Sequence, residues 1–435
     1  MLDKNPKKTL TVIGFDSWTG GAHHFRRLLP SFRKQGIEFV LIHIGSWGVD
    51  KGRAKEEMLE DLPIRDISFY GGFSFQEILE KENPSAVVFL STQTFAHRAF
   101  NRLCKMKNIP TVHVYHGLMS ALAVSSAKPY QRNFVSYFWF VVSRLFKMAT
   151  KTWPCYIRAL IVTGASLKEW SRFFMDNVDL LVGKNRLEAA VDEKTDLCCI
   201  YADGDRKHAI TQCGHVDEEV VSVGNPDLPM FGLMESLIGS NVRKDISLNN
   251  DVMYIDTALL HRGATFSNGM EFIVHLALTH ETVTKAGKRL IVKLHPEHFR
   301  TNLPEQLKSM GIVLCDNSDF VSRLESTCVC IVEPSSAAVI PALMGVPLLL
   351  ARYDKLKGQS FGEMLVEYPA GNYLDDINEF KMFIKRGRDD GDALAFERWK
   401  DKYCGPLPAE NMADRTVDSI NELIRNRQQI LSNHG

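Results

Sequence analysis

Short apolar runs, each followed by a helical pattern, alternate along the first two hundred residues. Segments 10–15, 39–44, 86–90, 111–115, 159–163 and 197–201 read as strands, and 22–35, 75–82, 95–106 and the stretch up to 170 as helices. The pattern restarts after Val223-Gly-Asn-Pro-Asp-Leu-Pro. Strands are expected at 251–256, 290–295, 312–314, 328–333 and 346–350, with helices at 269–286, 304–310, 320–325 and 335–344. Strands of five or six residues separated by helices predict a parallel, doubly wound sheet, and two such series predict two of them. The expected class is therefore α/β: two Rossmann-like doubly wound domains facing a cleft. Their bounds are read as 1–226 and 227–405, with a charged helical tail, 406–435, able to pack back on the first domain.

Composition narrows the class. The chain has 435 residues, with 52 Lys+Arg against 52 Asp+Glu. A zero net charge argues against a general nucleic-acid binder. The first eight residues are polar, unlike a signal peptide, and no apolar stretch reaches the roughly 18 residues of a membrane span. Nine cysteines occur without a CxxC pair, several inside apolar runs. That pattern predicts buried thiols in a reducing, cytoplasmic compartment and no structural zinc site.

Net charge conceals one asymmetry. Between Glu82 and Glu169 there is no acid, while Arg98, Arg102, Lys105, Lys128, Arg132, Arg144, Lys147 and Arg158 fall inside. Within the basic, aromatic block 128–158, the apolar run 134–142 is followed by Arg144 and Lys147. Such a segment suits an anionic membrane surface, which would make the protein peripheral on the inner face of the cell membrane; it equally suits a core helix with solvated ends.

The chemistry concentrates at predicted strand ends. In Val332-Glu-Pro-Ser-Ser, Pro334 breaks a strand and Ser335 and Ser336 open a helix, offering hydroxyls beside free N–H groups to a phosphate. Plain N-capping accounts for one serine and leaves the other idle. His295, at the end of 290–295, is sent into an extended exit by Pro296. In the first half, Asp16 ends a strand beside the Gly20-Gly21 loop, and His116 ends another with Gly117 behind it. Either could take a proton from an acceptor hydroxyl. Arg262, in a loop, is a candidate phosphate partner, and Asp203-Gly-Asp205 reads as a turn and helix cap.

Leu294-His-Pro, followed some forty residues later by Glu333-Pro-Ser-Ser and Gly345-Val-Pro, resembles the donor half of GT-B glycosyltransferases. The resemblance is to bacterial sialyltransferase-like enzymes and to CDP-glycerol glycerophosphotransferases. Gly224-Asn-Pro is similar to the stretch joining the two halves in such proteins and in UDP-N-acetylglucosamine 2-epimerases. Tyr115-His-Gly resembles the His-Gly of alditol-phosphate and capsule enzymes, and Thr19-Gly-Gly the Gly-rich loop of many GT-B enzymes. The resemblance implies donor phosphate and nucleotide on His295, Pro296, Glu333, Ser335, Ser336 and Arg262, catalysis by His116 or Asp16, and no metal or cofactor. Ile340-Pro-Ala stands where retaining members often carry a second glutamate, which points to inversion.

The implied activity is an inverting glycosyltransferase of bacterial surface polysaccharide synthesis. It would move a sugar, first guess a CMP-activated sialic acid, Kdo or related ulosonic acid, from a nucleotide donor to a glycan or lipid-linked glycan. The alternatives are a CDP-alditol glycerol- or ribitol-phosphate transferase, a sugar-nucleotide 2-epimerase and a non-catalytic glycan-binding protein.

Overall fold

The computed structural model describes residues 10–17, 19–48, 52–122, 142, 146, 148–182, 189–242, 248–257, 259–260, 265–266, 268–386 and 393–433. Two parallel sheets organise it. The first holds β1 (Leu10–Asp16), β2 (Ile37–His43), β3 (Glu56–Leu59), β4 (Leu62–Asp66), β5 (Ala86–Phe89), β6 (Thr111–Val114), β7 (Leu197–Ile200) and β8 (Val220–Ser222). Their spatial order is β3-β4-β2-β1-β5-β6-β7-β8, and only the β3–β4 pair is antiparallel. The second sheet holds β9 (Asp251–Ile255), β10 (Arg289–Lys293), β11 (Val313–Cys315), β12 (Thr327–Val332), β13 (Leu348–Ala351) and β14 (Gly371–Leu374), in the order β11-β10-β9-β12-β13-β14. In each sheet the winding reverses beside the first strand, between β1 and β5 and between β9 and β12. Ligands of doubly wound sheets bind at such reversals, outside the strands' carboxyl ends. The two-Rossmann, GT-B-type expectation is met.

The central strands β1, β5, β6, β9 and β12 are buried along almost their whole length, as helices on both faces require. The differences from the sequence reading have physical causes. Pro30 denies the 22–35 helix a backbone donor, and the structure splits it into Ala22–Arg26 and Leu29–Lys34. Pro341 does the same to 335–344, leaving a 3-10 turn, Ser336–Ala338, and a short helix, Val339–Met344. Residues 159–162, read as a strand, end the helix Trp153–Val162, whose Cys155, Tyr156, Ala159 and Leu160 form one buried stripe. β3, β4, β8 and β14 lie toward the sheet edges and lack long apolar runs, and 346–350 is not the last strand.

The chain crosses between the sheets twice, and one side chain clasps both crossings. Arg415 donates from Nε to the Val223 carbonyl at 2.7 Å, and from Nη2 to those of Pro406 and Pro408 at 2.9 and 2.8 Å. Gly224 lies at φ 106°, and a β-carbon there would meet Arg415 Nη2 at 2.7 Å, so this crossing requires glycine. The helix Met412–Asn433 then lies along the first sheet's helices through Lys34–Asp414 (3.0 Å), Asn421–Gln35 (2.7 Å) and Arg427–Asp196 (2.9 Å).

Candidate functional site

In the second domain, three strand ends are tied together by hydrogen bonds. Asp256, directly after β9, accepts the His295 N–H at 2.9 Å, and its Oδ2 is 2.7 Å from Nδ1 of His298. Glu333, directly after β12, accepts from the Tyr254 hydroxyl (2.7 Å), the Thr257 N–H (2.9 Å) and the Thr257 hydroxyl (3.1 Å). Burial, then the neighbouring Asp256, raises the Glu333 carboxyl above the ordinary range. Glu333 is completely buried, so its reading as a donor contact gives way to a supporting one: it fixes Thr257 and Tyr254. His295 is half-buried at the edge, and Pro296 opens the 3-10 turn Pro296–Arg300.

The paired serines divide their work. Ser335 is nearly buried, and its Oγ accepts the Ala337 N–H at 3.3 Å, the ordinary N-cap role. Ser336 is more open. The helix behind them, six residues long, contributes little dipole, so hydroxyls and turn N–H groups carry what anion affinity this edge has.

In the first domain, Asp16 stands at the end of β1 and accepts the Ser17 N–H at 2.6 Å. Burial pushes its carboxyl up to about 6. Its other oxygen lies only 2.2 Å from where a β-carbon on Gly21 would be, so Gly21 is the space this carboxyl occupies; Gly20 is exposed beside it. His97, buried behind Asp16 with Nε2 3.9 Å from its Oδ1, is pushed down by burial to about 3 and is neutral.

His116 Nδ1 lies 3.1 Å from the carbonyl of Leu90, the residue following β5. A carbonyl only accepts, so Nδ1 carries the hydrogen and Nε2 keeps a lone pair. The surrounding cleft walls lower the His116 pKa, with the Leu90 carbonyl opposing them. His24 stands edge-on to it, 5.6 Å between ring centres, and burial, then the charges of His23, Arg27 and His116, push His24 down to about 2. A neutral imidazole with a free nitrogen and a carboxyl titrating near 6 are both groups that can accept a proton near neutrality.

The two edges meet. The Ser336 hydroxyl lies 3.8 Å from where a β-carbon on Gly117 would be, and the turn Ser336–Ala338 rests on the turn Met119–Ala121 that follows His116. Gly117 has no positive φ, and a β-carbon there would make an ordinary contact with Ser336, so the two turns touch without requiring glycine at this position. The loop is held from both domains. The Ser120 N–H donates to buried Asp205 at 2.8 Å, Gly362 N–H donates to Ala121 O at 3.2 Å, and Leu122 forms a bridge with Phe361. Asp205 of the Asp-Gly-Asp turn thus anchors the loop, and burial raises its carboxyl to about 7.

Arg262 and most of the run 134–147 lie outside the described residues; Val142 and Phe146 of that run are exposed. Part of the acid-free stretch between Glu82 and Glu169 is neutralised in space. Arg98 pairs with Asp176 (2.6 Å) and Asp192 (2.8 Å), and Arg102 with Glu169 (2.5 Å), acids that lie at or beyond the end of that stretch. Among the described residues, no helix is long and apolar enough to cross a membrane. Sequence reasoning missed Asp256, His24 and Leu90, and read Asp205 as a turn and cap residue where its carboxyl holds the Ser120 N–H. Asp256 carried a usable signal, an acid ending a buried strand, whereas the carbonyl of Leu90 leaves none. A surface cavity of about 360 Å³ lined by Leu29, Arg33, Phe39 and Met58 opens at the amino ends of β1 and β2, away from this site.

No protein-family model matches the sequence, and no curated protein matches it. Solved structures do match. A histidine-to-asparagine variant of the wall teichoic acid polymerase TagF is similar with a TM-score of 0.52 at 11% identity, over 97% of this chain and 90% of that one. The S. aureus MnaA–UDP co-structure gives 0.50 at 12% identity, over 96% of this chain and 97% of that one. At such identities the likeness establishes the GT-B-type fold.

Proposed function

We propose that the protein is a transferase that uses a nucleotide-activated donor, with the donor phosphate held by His295 and Ser336 and the acceptor hydroxyl activated from the first domain. The observation that carries this reading is the meeting of the His116–Gly117 loop with Ser336 across the carboxyl edges of both sheets. In an inverting transfer, one base takes the acceptor proton while N–H and hydroxyl dipoles receive the departing phosphate's charge. His116 Nε2 is the proton acceptor in this account, and Asp16, ionised above about pH 6, is its neighbour at the same edge. His295, Ser336 and the turn N–H groups after Ser335 face the leaving group.

The finer reading is a metal-independent, inverting glycosyltransferase. Its donor would be a CMP-activated ulosonic acid and its acceptor a glycan or lipid-linked glycan of a bacterial surface polysaccharide. A second reading, transfer of glycerol or ribitol phosphate from a CDP-alditol, is favoured by the His116-Gly motif and by the likeness in fold to TagF, a wall teichoic acid polymerase. A 2-epimerase would use the donor without an acceptor; the UDP in the MnaA structure supports a nucleotide-binding cleft in this fold and fits either reaction. Peripheral membrane binding rests on the exposed apolar residues Phe146, Ile161, Leu167 and Phe174 among the basic residues of this region.

The test is product analysis with CMP-sugars, CDP-alditols and UDP-sugars, with and without lipid-linked glycan. The proposal expects acceptor-dependent consumption of one donor, lost in His116→Ala. A transferred sugar supports the first reading and a transferred alditol phosphate with CMP release the second. Epimerised donor without acceptor, or no consumption of any, overturns the transferase.

A further inference from the structure

A second constellation lies inside the first domain, beneath the cleft. His113 on β6 and Cys198 on β7 are direct partners in parallel register, so their side chains stand together on one face of the sheet. His215, two residues beyond the helix Arg206–Cys213, completes the group. Donor atoms of all three lie within 4.8 Å of one another, and the residues are 6%, 0% and 3% exposed.

A backbone carbonyl fixes the tautomer of His113. His113 Nε2 lies 3.3 Å from the Leu90 carbonyl and must carry the hydrogen, which leaves a lone pair on Nδ1; that buried nitrogen has no hydrogen-bond partner. His215 is held at both ends: its Nε2 lies 3.4 Å from the Thr195 hydroxyl and its Nδ1 3.4 Å from Glu219 Oε2, a carboxylate that favours a proton or a cation beside this ring. Leaving the buried His113 nitrogen unsatisfied is unfavourable. An imidazole whose far N–H is held by an oxygen while its other nitrogen is free is how metal-ligating histidines are oriented.

We propose that His113, Cys198 and His215 bind a zinc(II) ion inside the first domain. Two imidazoles and a thiolate form a nitrogen–sulfur set that suits zinc, with the fourth tetrahedral position left to water. The ligands lie on separate elements far apart in sequence, so no CxxC spacing announces them. The ion is structural: it ties β6, β7 and the segment after the helix Arg206–Cys213 together, three residues upstream of His116. The Leu90 carbonyl accepts from both His113 and His116, so the site also braces the cleft histidine.

The test is the metal content of the purified full-length chain, followed by exchange of zinc for cobalt(II). About one zinc per chain and a thiolate-to-cobalt charge-transfer band are expected, both lost in Cys198→Ser, together with a lower melting temperature after chelation. Should Cys198→Ser fail to fold, stoichiometry and cobalt spectrum on the native chain decide by themselves. A native chain holding no zinc and giving no thiolate–cobalt band overturns the proposal. Zinc retained in full by a folded Cys198→Ser variant overturns it equally, by placing the ion elsewhere.

Discussion

Asp16 and Asp256 occupy equivalent places: each follows or ends the first strand of its sheet, beside the point where the winding reverses. Their surroundings differ. Asp256 accepts the His295 N–H, lies against His298 and neighbours Glu333, itself held by three donors. Asp16 accepts one short bond from Ser17, and its other oxygen fills the space that a side chain at Gly21 would need. The second domain's acid fixes the backbone that carries the donor motifs. The first domain's acid is kept near the cleft and poorly compensated, with its pKa raised to about 6. Equivalent positions in one fold therefore serve framework in one half and chemistry in the other.

Substitutions can sharpen or break this contrast. The largest effect is expected at the cleft: His116→Ala should lower turnover by ~10²–10⁴-fold while leaving the melting temperature nearly unchanged. Unchanged turnover would remove the first domain from the chemistry. Next comes Asp256→Ala, which strands the His295 N–H and His298; chemical denaturation should show a loss of about 2–4 kcal/mol.

Asp16→Asn should behave in the opposite sense. The folded-state pKa of about 6 lies above the ordinary 3.8, so the folded chain binds this proton more tightly than the unfolded chain does. The associated stability is complete below about pH 4 and is lost as pH rises through about 6. Denaturation at pH 8 should therefore find Asp16→Asn more stable than the native chain, by on the order of 2–3 kcal/mol, and less active. A loss of stability there would mean that Asp16, like Asp256, is framework. A smaller effect is expected at Gly21→Ala, whose methyl group must displace the Asp16 carboxylate. Activity should fall by roughly tenfold, with the pH–rate profile shifted. Smallest is Ser335→Ala, which removes an N-cap and should cost about 1 kcal/mol in a thermal melt.

The central strands were legible because parallel strands covered on both faces must be continuous apolar runs, as 86–90 and 328–333 are. Edge strands such as Gly371–Leu374 need no such run and left no signal. Helix bounds failed at Pro30 and Pro341, where the apolar pattern continues but the backbone cannot. The strand-end positions of Asp16, His116, His295 and Ser336 could be read from sequence. Which serine caps and which stays open could not, because that depends on the turn Pro341 imposes. The acid-free block misled for a related reason: Arg98 and Arg102 find their acids through space, at Asp176, Asp192 and Glu169.

The most direct test of the central claim, a donor-phosphate site at Ser336 facing His116, is thermal stabilisation by CMP, CDP, UDP and GDP. It should be run on the native chain, Ser335→Ala and Ser336→Ala. A ligand that binds only the folded state raises the melting temperature by mass action. The account predicts a shift with one nucleotide family that survives in Ser335→Ala, from its lower baseline, and disappears in Ser336→Ala. A shift untouched by Ser336→Ala, or none with any of the four nucleotides, would contradict it.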